Sequence, residues 1–131
     1  MFDVVLYYSK GGNSLKVAKF FNLPLIDVKT NPNLEKYNCL IIVCPTYGDE
    51  ELPFEMEDFL INLKTFNKKY AVCELGNRFG HEGEEGFGAA VIIEYLLDKL
   101  NWQKIDRISL DSIPDIDWEN LQKWTDQLLK N

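Results

Sequence analysis

Short continuous apolar runs alternate along this chain with stretches whose apolar residues recur at helical spacing. The continuous runs are rich in β-branched and aromatic residues, which is typical of strands that are covered on both faces. Such runs lie at 2–8, 24–28, 39–44, 69–75 and 104–110. Helical spacing indicates helices near 13–21, 55–64, 88–100 and 117–129. The alternation predicts an α/β fold, with a doubly wound five-stranded parallel sheet and helices on both faces.

The connection between the second and third runs is unusually short. It holds ten residues, 29–38, and Pro32 interrupts it. Because this length is near the lower limit for a parallel crossover, we expect the helix after strand 2 to be reduced to about one turn. At the starts of other helices, Asn13, Ser14 and Asp117 are candidate N-caps. Without repeats, linkers or low-complexity segments, residues 1–131 are predicted to form a single domain.

The composition is that of an ordinary globular protein, with 46% hydrophobic and 13% aromatic residues. The N-terminal apolar run is too short for a signal peptide, and no stretch reaches the roughly 18 to 20 apolar residues of a membrane span. We therefore expect a cytoplasmic protein. The formal charge of −7 argues against a nucleic-acid backbone or an anionic membrane as partner. If the charge serves recognition, it favours a basic protein surface.

Cysteine and histidine offer little chemistry in this sequence. Cys39, Cys44 and Cys73 form no CxxC pair and lie in or beside apolar runs, so we expect buried reduced thiols. His81 is the only histidine and has no partner at ligand spacing, which argues against a metal site. We interpret it as a solvated loop residue.

All eight glycines follow the carboxyl ends of three predicted strands. Two follow the first strand, one follows the third and five follow the fourth, whereas the turns at 22–24, 65–69 and 101–104 have none. Open α/β sheets bind ligands outside the carboxyl ends of their strands, where glycine lets the backbone approach a ligand closely. The asymmetry therefore predicts a ligand site at this edge of the sheet.

The first of these turns, SKGGNS at 9–14, joins a strand to a helix. It lacks the spacing of the nucleotide-binding loop GxxxxGK followed by Ser or Thr, and it contains no GxGxxG. Its serine and asparagine side chains, its backbone amides and the helix N-terminus can all point at an anion. The turn predicts one compact phosphate dianion bound without magnesium.

Aromatic residues stand in the other two turns. Tyr47 lies in PTYGDEELP at 45–53, and Phe79 lies in ELGNRFGHEGEEGFG at 74–88. Two aromatic side chains from separate turns at one sheet edge can form walls for a flat ring. Together with the phosphate turn, they predict a planar phosphorylated cofactor.

These motifs resemble the flavodoxin family, which binds flavin mononucleotide (FMN). The family's phosphate loop, Thr/Ser-x-Thr-Gly-Asn/Thr-Thr/Ser, is similar to 9–14, with Gly11 replacing a threonine and removing one hydroxyl donor. The segments 46–49 and 75–77 are similar to the family's second and third loops, and FGAA at 87–90 resembles the start of a main helix. The resemblance covers nearly the whole chain and implies the strand order 2-1-3-4-5.

The resemblance also implies roles for particular residues. Tyr47 would stack on one face of the isoalloxazine ring and Phe79, or otherwise Phe87, would cover the other. Gly48 would turn its carbonyl toward flavin N5 when that nitrogen is protonated, which glycine permits at little cost. The phosphate would be held by Ser9, Lys10, Gly11, Gly12, Asn13 and Ser14. The remaining expected cofactor-binding residues are Pro45, Thr46, Asp49, Leu75, Gly76, Asn77, Arg78 and Gly80.

Acidic residues crowd two of the turns and fit a redox role. They are Asp49, Glu50, Glu51, Glu55, Glu57 and Asp58 near the second turn and Glu82, Glu84 and Glu85 in the third. Their charge would disfavour an anionic reduced flavin and steer a basic partner. The expected protein is a monomeric, low-potential single-electron carrier that shuttles between a flavodoxin reductase and an acceptor enzyme. No residue is typical of a general acid, base or nucleophile, so we expect no enzyme.

Three alternatives remain at this point. The flavodoxin-like activator of class Ib ribonucleotide reductase, whose reduced FMN generates an oxidant for manganese cofactor assembly, also has a short second crossover and a third loop similar to 76–80. A receiver-type signalling domain would need an aspartate where Cys44 and Pro45 stand. A quinone or FMN reductase would need a substrate pocket for which this chain is short.

Overall fold

The structure is a computed structural model that describes residues 1–47, 51–77 and 86–130. Its centre is one sheet of five parallel strands, in the spatial order β2-β1-β3-β4-β5. This order confirms the one that the family resemblance implied. The strands are β1 (Val4–Tyr7), β2 (Leu25–Asp27), β3 (Cys39–Pro45), β4 (Lys69–Gly76) and β5 (Gln103–Asp111).

Helices cover the sheet on both faces, as the sequence predicts. The four helices are α1 (Asn13–Phe20), α2 (Phe54–Ile61), α3 (Ala89–Asp98) and α4 (Trp118–Lys130). The core under α2 and α3 is separate from the core under α1 and α4. After β2 the chain makes a single 3-10 turn, Val28–Thr30, which confirms the expected short crossover. None of the helices among the described residues is long and apolar enough to cross a membrane.

Alternate residues of the central strands enter opposite cores. In β3, Leu40 and Ile42 belong to the core under α2 and α3, whereas Ile41 and Val43 belong to the core under α1 and α4. All four are fully buried. Because successive side chains point to opposite faces and both faces are covered, the strand needs apolar residues at every position. This explains the continuous apolar runs.

The three cysteines are free and buried, which confirms the interpretation of their positions in apolar runs. Burial raises the pKa of the Cys73 thiol, and burial together with the nearby Glu74 raises that of Cys44. Both thiols therefore stay protonated at neutral pH.

The helix starts match the predicted caps only in part. The prediction of Asn13 or Ser14 as the N-cap of α1 is wrong, because Gly12 occupies that position and no side chain caps the helix there. The prediction for Asp117 is confirmed, since its Oδ1 accepts a hydrogen bond of 3.2 Å from the Asn120 N–H. The N-cap of α1 is therefore a glycine with a positive φ, whereas the start of α4 is capped by the Asp117 carboxylate.

The strand register brings four strand ends to one edge of the sheet. Pro45 at the end of β3 pairs with Leu75 in β4, and Gly76 at the end of β4 pairs with Asp111 at the end of β5. The last residue of β1, Tyr7, pairs with Val43 two residues before the end of β3. The turns that follow β1, β3, β4 and β5 therefore start beside one another.

Candidate functional site

A cavity of about 220 Å³ lies at this carboxyl edge, between the turns that follow four strands. The turns after β1, β3 and β4 line it, as the glycine pattern predicts, and the turn after β5 lines it as well. Its lining residues are Ser9, Lys10, Gly11, Asn13, Ser14, Pro45, Thr46, Tyr47, Leu75, Gly76, Ser112 and Ile113. The sequence-predicted residues of three separate segments thus come together around one space.

The turn after β1 is shaped by Gly12, whose φ of +96° lies in the left-handed region. Residues with a Cβ rarely adopt this backbone conformation, so glycine is favoured at this position. The Gly12 N–H donates a 3.1 Å hydrogen bond to the Ser9 hydroxyl, which closes the turn onto itself. A Cβ would meet nothing within 4 Å at either Gly11 or Gly12, so the two glycines differ in backbone conformation and not in the space around them.

Helix α1 begins directly after this turn and presents its N-terminus at the cavity. The first N–H groups of a helix have no partner within the helix, and no side chain caps these. The first turn of α1 contains no acidic residue, and the exposed Lys10 lies beside it. Backbone amides, the positive end of the helix dipole and one ammonium group therefore favour an anion at this end of the cavity.

The turn after β3 supplies an aromatic wall. The Thr46 N–H donates a 2.8 Å hydrogen bond to the Leu75 carbonyl, which holds the second turn against the third. Tyr47 forms an isolated antiparallel bridge with Glu51 through two 2.8 Å backbone hydrogen bonds. This pairing fixes the backbone on both sides of residues 48–50.

Tyr8 lies behind Tyr47 and supports its ring. The two ring centroids are 6.5 Å apart, with an edge-to-face angle of 77°. Tyr8 is buried, and its burial together with a hydrogen bond to Glu55 raises its pKa well above the ordinary value. Burial also raises the pKa of Tyr47, so both phenols are neutral at physiological pH. The Tyr47 wall is thus an uncharged aromatic ring with a packed support.

The turn after β4 contributes Leu75 and Gly76 to the cavity. Asn77 is exposed and is not among the lining residues. Phe87 is only 1% exposed and packs against Gly76, where an added Cβ would lie 2.7 Å from the phenyl ring. Phe87 therefore lies behind Gly76 and does not line the cavity. Several predicted site residues lie outside the described residues, namely Gly48, Asp49, Arg78, Phe79 and Gly80.

Sequence reasoning missed Ser112 and Ile113 in the turn after β5. The Ser112 N–H donates a 3.0 Å hydrogen bond to the Gly76 carbonyl, and the Ser112 carbonyl accepts a 3.5 Å contact from the Asn13 side chain. Ser112 therefore connects the first and third turns. This turn has no glycine, so the pattern that revealed the other three could not reveal it. The one available indication was the expected pairing of strands 4 and 5, which places the turn after strand 5 beside the turn after strand 4.

The acidic residues near the second turn lie mostly at the surface. Glu51, Glu55 and Asp58 are exposed, and Glu57 is half-buried. The other acidic residues of the two turns, and His81, lie outside the described residues. Among the described residues that line the cavity there is no carboxylate, imidazole or thiol. The described lining can therefore bind and orient a ligand.

Comparison with known proteins gives a clear result for the fold. No protein-family model matches the chain, and no curated protein matches it in sequence. Solved flavodoxin structures match it over almost the full length of both chains. The flavodoxin of Fusobacterium nucleatum bound to FMN is 17% identical, with a TM-score of 0.72 over 97% of this chain and 96% of its own.

Two further solved structures agree with this result. Flavodoxin 2 of Bacillus cereus is 24% identical, with a TM-score of 0.68 over 97% of this chain and 95% of its own. A short-chain flavodoxin associated with a bacterial microcompartment is 21% identical, with a TM-score of 0.71 over 99% of this chain and 98% of its own. The chain therefore has the flavodoxin fold.

Proposed function

We propose that this protein binds FMN in the cavity at the carboxyl edge and acts as a low-potential single-electron carrier. The observation that carries the proposal is the meeting of a helix N-terminus that has no side-chain cap and an aromatic wall around one cavity. The flavodoxin fold supports it, because the solved flavodoxin of Fusobacterium nucleatum is bound to FMN in a structure of the same fold. We infer membership of the flavodoxin family from this combination.

The described residues suit both ends of FMN. The segment 9–14 would hold the phosphate through backbone amides, the hydroxyl of Ser14 and the charge of Lys10. Gly12 gives this turn the shape that an anion cradle needs, since its positive φ lets the chain enter α1 directly. The absence of carboxylates from the described lining avoids repulsion of a phosphate dianion.

The ring would lie between the second and third turns. Tyr47 would cover one face, with Tyr8 behind it and Pro45 and Thr46 beside it. For the other face we favour Phe79, because Phe87 would have to leave its buried position against Gly76 to reach the ring. Gly48, Asp49, Arg78 and Gly80 complete the proposed contacts, together with Leu75, Gly76 and Asn77.

FMN, when bound, supplies the ability to take up and release electrons one at a time. The protein would orient the flavin, limit its contact with water and set the charge around it. The exposed carboxylates of Glu51, Glu55 and Asp58 would lower the potential for adding negative charge to the ring. They would also attract basic surfaces of a flavodoxin reductase and of an acceptor enzyme.

The carrier is favoured over the ribonucleotide reductase activator, because the solved structures described above are flavodoxins. We further propose a monomer in the cytoplasm that binds neither nucleic acid nor membranes. The net charge of −7 supports the last two points.

Titration of FMN into the purified cofactor-free protein tests the proposal. We expect FMN fluorescence to be quenched and bound-flavin absorption bands to appear. Replacement of Tyr47 by Ala should weaken binding by about tenfold, because a stacking surface is lost. Tyr95→Ala is the matched control, since Tyr95 is 62% exposed on α3 and does not line the cavity. Unquenched fluorescence with the wild-type protein would refute the proposed function.

Spectroelectrochemical titration of the FMN complex distinguishes a carrier from an enzyme-like activator. A carrier should show two well-separated one-electron steps, with strong absorbance of the flavin that has gained one electron. A single two-electron step would count against the carrier.

A further inference from the structure

An acidic residue lies within strand β4, two residues before the carboxyl end of the strand. Glu74 is fully buried, with no exposed surface, between Cys73 and Leu75. Burying a carboxylate is costly unless hydrogen bonds replace its water. Its retention in the interior therefore indicates specific partners.

Four donors converge on the Glu74 carboxylate. The backbone N–H groups of Phe87 and Ala90 each donate a 2.9 Å hydrogen bond, one to each oxygen. The hydroxyl of Ser109 donates to Oε2 at 2.5 Å, and that of Thr46 contacts Oε1 at 3.4 Å. A carboxylate can accept all of these bonds at once, whereas a primary amide cannot, because its nitrogen is only a donor.

One of these contacts serves as the cap of α3. The N-cap residue of α3 is Gly88, which has no side chain to satisfy the first amides. Glu74 reaches across from β4 to the Ala90 N–H in the first turn of this helix. The negative charge also lies at the positive end of the helix dipole. The sheet therefore fixes the helix start that follows the third turn.

The same carboxylate joins two walls of the cavity. Thr46 lines the cavity in the second turn and contacts Glu74 directly. Phe87, held by Glu74 through its N–H, packs its ring on Gly76, which also lines the cavity. A Cβ on Gly86 would lie 2.7 Å from Glu74 Oε2, so only glycine lets the chain pass this close. Small shifts of this carboxylate would therefore reach both walls.

We propose that Glu74 is the positioning residue of the cofactor site, and that its buried carboxylate fastens the second turn to the far end of the third turn. The proposal rests on the proposed function. A positioning role differs from a purely structural one because the two walls that Glu74 connects, at Thr46 and Gly76, would lie on the ring side of the site. None of the four hydrogen-bond partners of the Glu74 carboxylate lies in the phosphate turn at 9–14, so that turn should work normally without it.

The test compares FMN with riboflavin, which lacks the phosphate, in wild-type protein and in Glu74→Gln. The glutamine amide would face one of the two backbone N–H groups and leave it unsatisfied. We expect the affinities for both flavins to fall by the same factor of about ten, measured well below the unfolding temperature. In the cofactor-free variant, hydrogen exchange at the Phe87 and Ala90 amides should become faster.

A matched control separates positioning from loss of stability. Ile93→Val removes one methylene from the fully buried core face of α3, at a residue that neither lines the cavity nor belongs to the hydrogen-bond partners of Glu74. It should lower the unfolding temperature while leaving both flavin affinities unchanged. If Glu74→Gln does not fold, Ser109→Ala removes a single donor, and we expect both affinities to fall by about two- to threefold.

The outcomes are distinct. Unchanged flavin affinities in Glu74→Gln, or a loss confined to FMN, would overturn the positioning role while the proposed function stands. If Glu74→Gln does not fold, unchanged affinities in Ser109→Ala would do the same. A wild-type protein that binds neither flavin would overturn the proposed function and this inference together.

Discussion

Two adjacent glycines in the first turn have different physical roles. Both have open space where a Cβ would stand, but Gly12 has a φ of +96°, whereas the φ of Gly11 lies outside the left-handed region. We therefore expect Gly12→Ala to lower the free energy of unfolding by about 1 kcal/mol, because alanine is strained in the left-handed region. Gly11→Ala, the matched control, should change it little. Urea denaturation of the cofactor-free protein measures both, and equal effects would contradict the role given to Gly12.

Among the described residues that line the cavity, Lys10 is the one with a positive charge. This charge should therefore matter for an anionic ligand. We expect Lys10→Glu to weaken FMN binding by about tenfold at low ionic strength, with little effect on riboflavin. Lys64→Glu makes the same change of charge at the opposite edge of the sheet, before β4, where Lys64 is exposed. Fluorescence titration of the two variants compares them. An equal loss in both would indicate that only net charge matters.

At the scale of the element, the Asp117 carboxylate caps the start of α4. Asp117 accepts from the Asn120 N–H at 3.2 Å and from the Asn120 side-chain amide at 2.6 Å. Asp117→Ala should lower the free energy of unfolding by about 1 kcal/mol, because the Asn120 amide in the first turn of the helix loses its acceptor. Asp115→Ala, in the exposed turn two residues earlier, should be nearly neutral. Thermal or urea denaturation distinguishes the two variants.

Strands buried on both faces could be predicted well from the sequence, because such strands need apolar residues at every position and so appear as continuous apolar runs. Element ends were less predictable. The helix predicted at 55–64 spans Phe54–Ile61, and the start of α1 is set by the left-handed Gly12 rather than by the side chains of Asn13 or Ser14. A backbone angle leaves no periodic signal, so neighbouring polar residues were mistaken for the cap.

At the scale of the whole molecule, buried thiol and phenol groups that stay uncharged make the stability of the fold sensitive to high pH. Burial raises the pKa values of Cys44, Cys73 and Tyr70 above the ordinary 9.0 for cysteine and 10.0 for tyrosine. The unfolded chain releases these protons at the ordinary values, whereas the native protein retains them. Their contribution to stability is therefore complete below about pH 9 and is lost as the pH rises further.

Urea denaturation between pH 7 and pH 11 checks this expectation. The free energy of unfolding should fall above about pH 9, and Cys73→Ala should make the decline shallower by removing one retained proton. A free energy that stays constant or increases over this range would contradict it.

The site was predictable where glycine marks a turn and hidden where tertiary structure alone brings residues together. The turns after β1, β3 and β4 could be identified in the sequence by their glycines. Ser112 reaches the cavity because β5 pairs with β4 up to Asp111, which is a property of strand order. Glu74 resembles any carboxylate in sequence, and its partners come from segments far along the chain. Such residues become visible only when the fold has placed them.

The central claim is that one cavity holds a phosphate at the α1 N-terminus and a flat ring beside Tyr47. Parallel titrations of the wild-type cofactor-free protein with FMN and riboflavin test it most directly. We predict that both flavins are quenched and that FMN binds about 100-fold more tightly, since several charge-assisted hydrogen bonds act on the phosphate alone. Equal affinities for the two flavins, or no binding of either, would contradict the account.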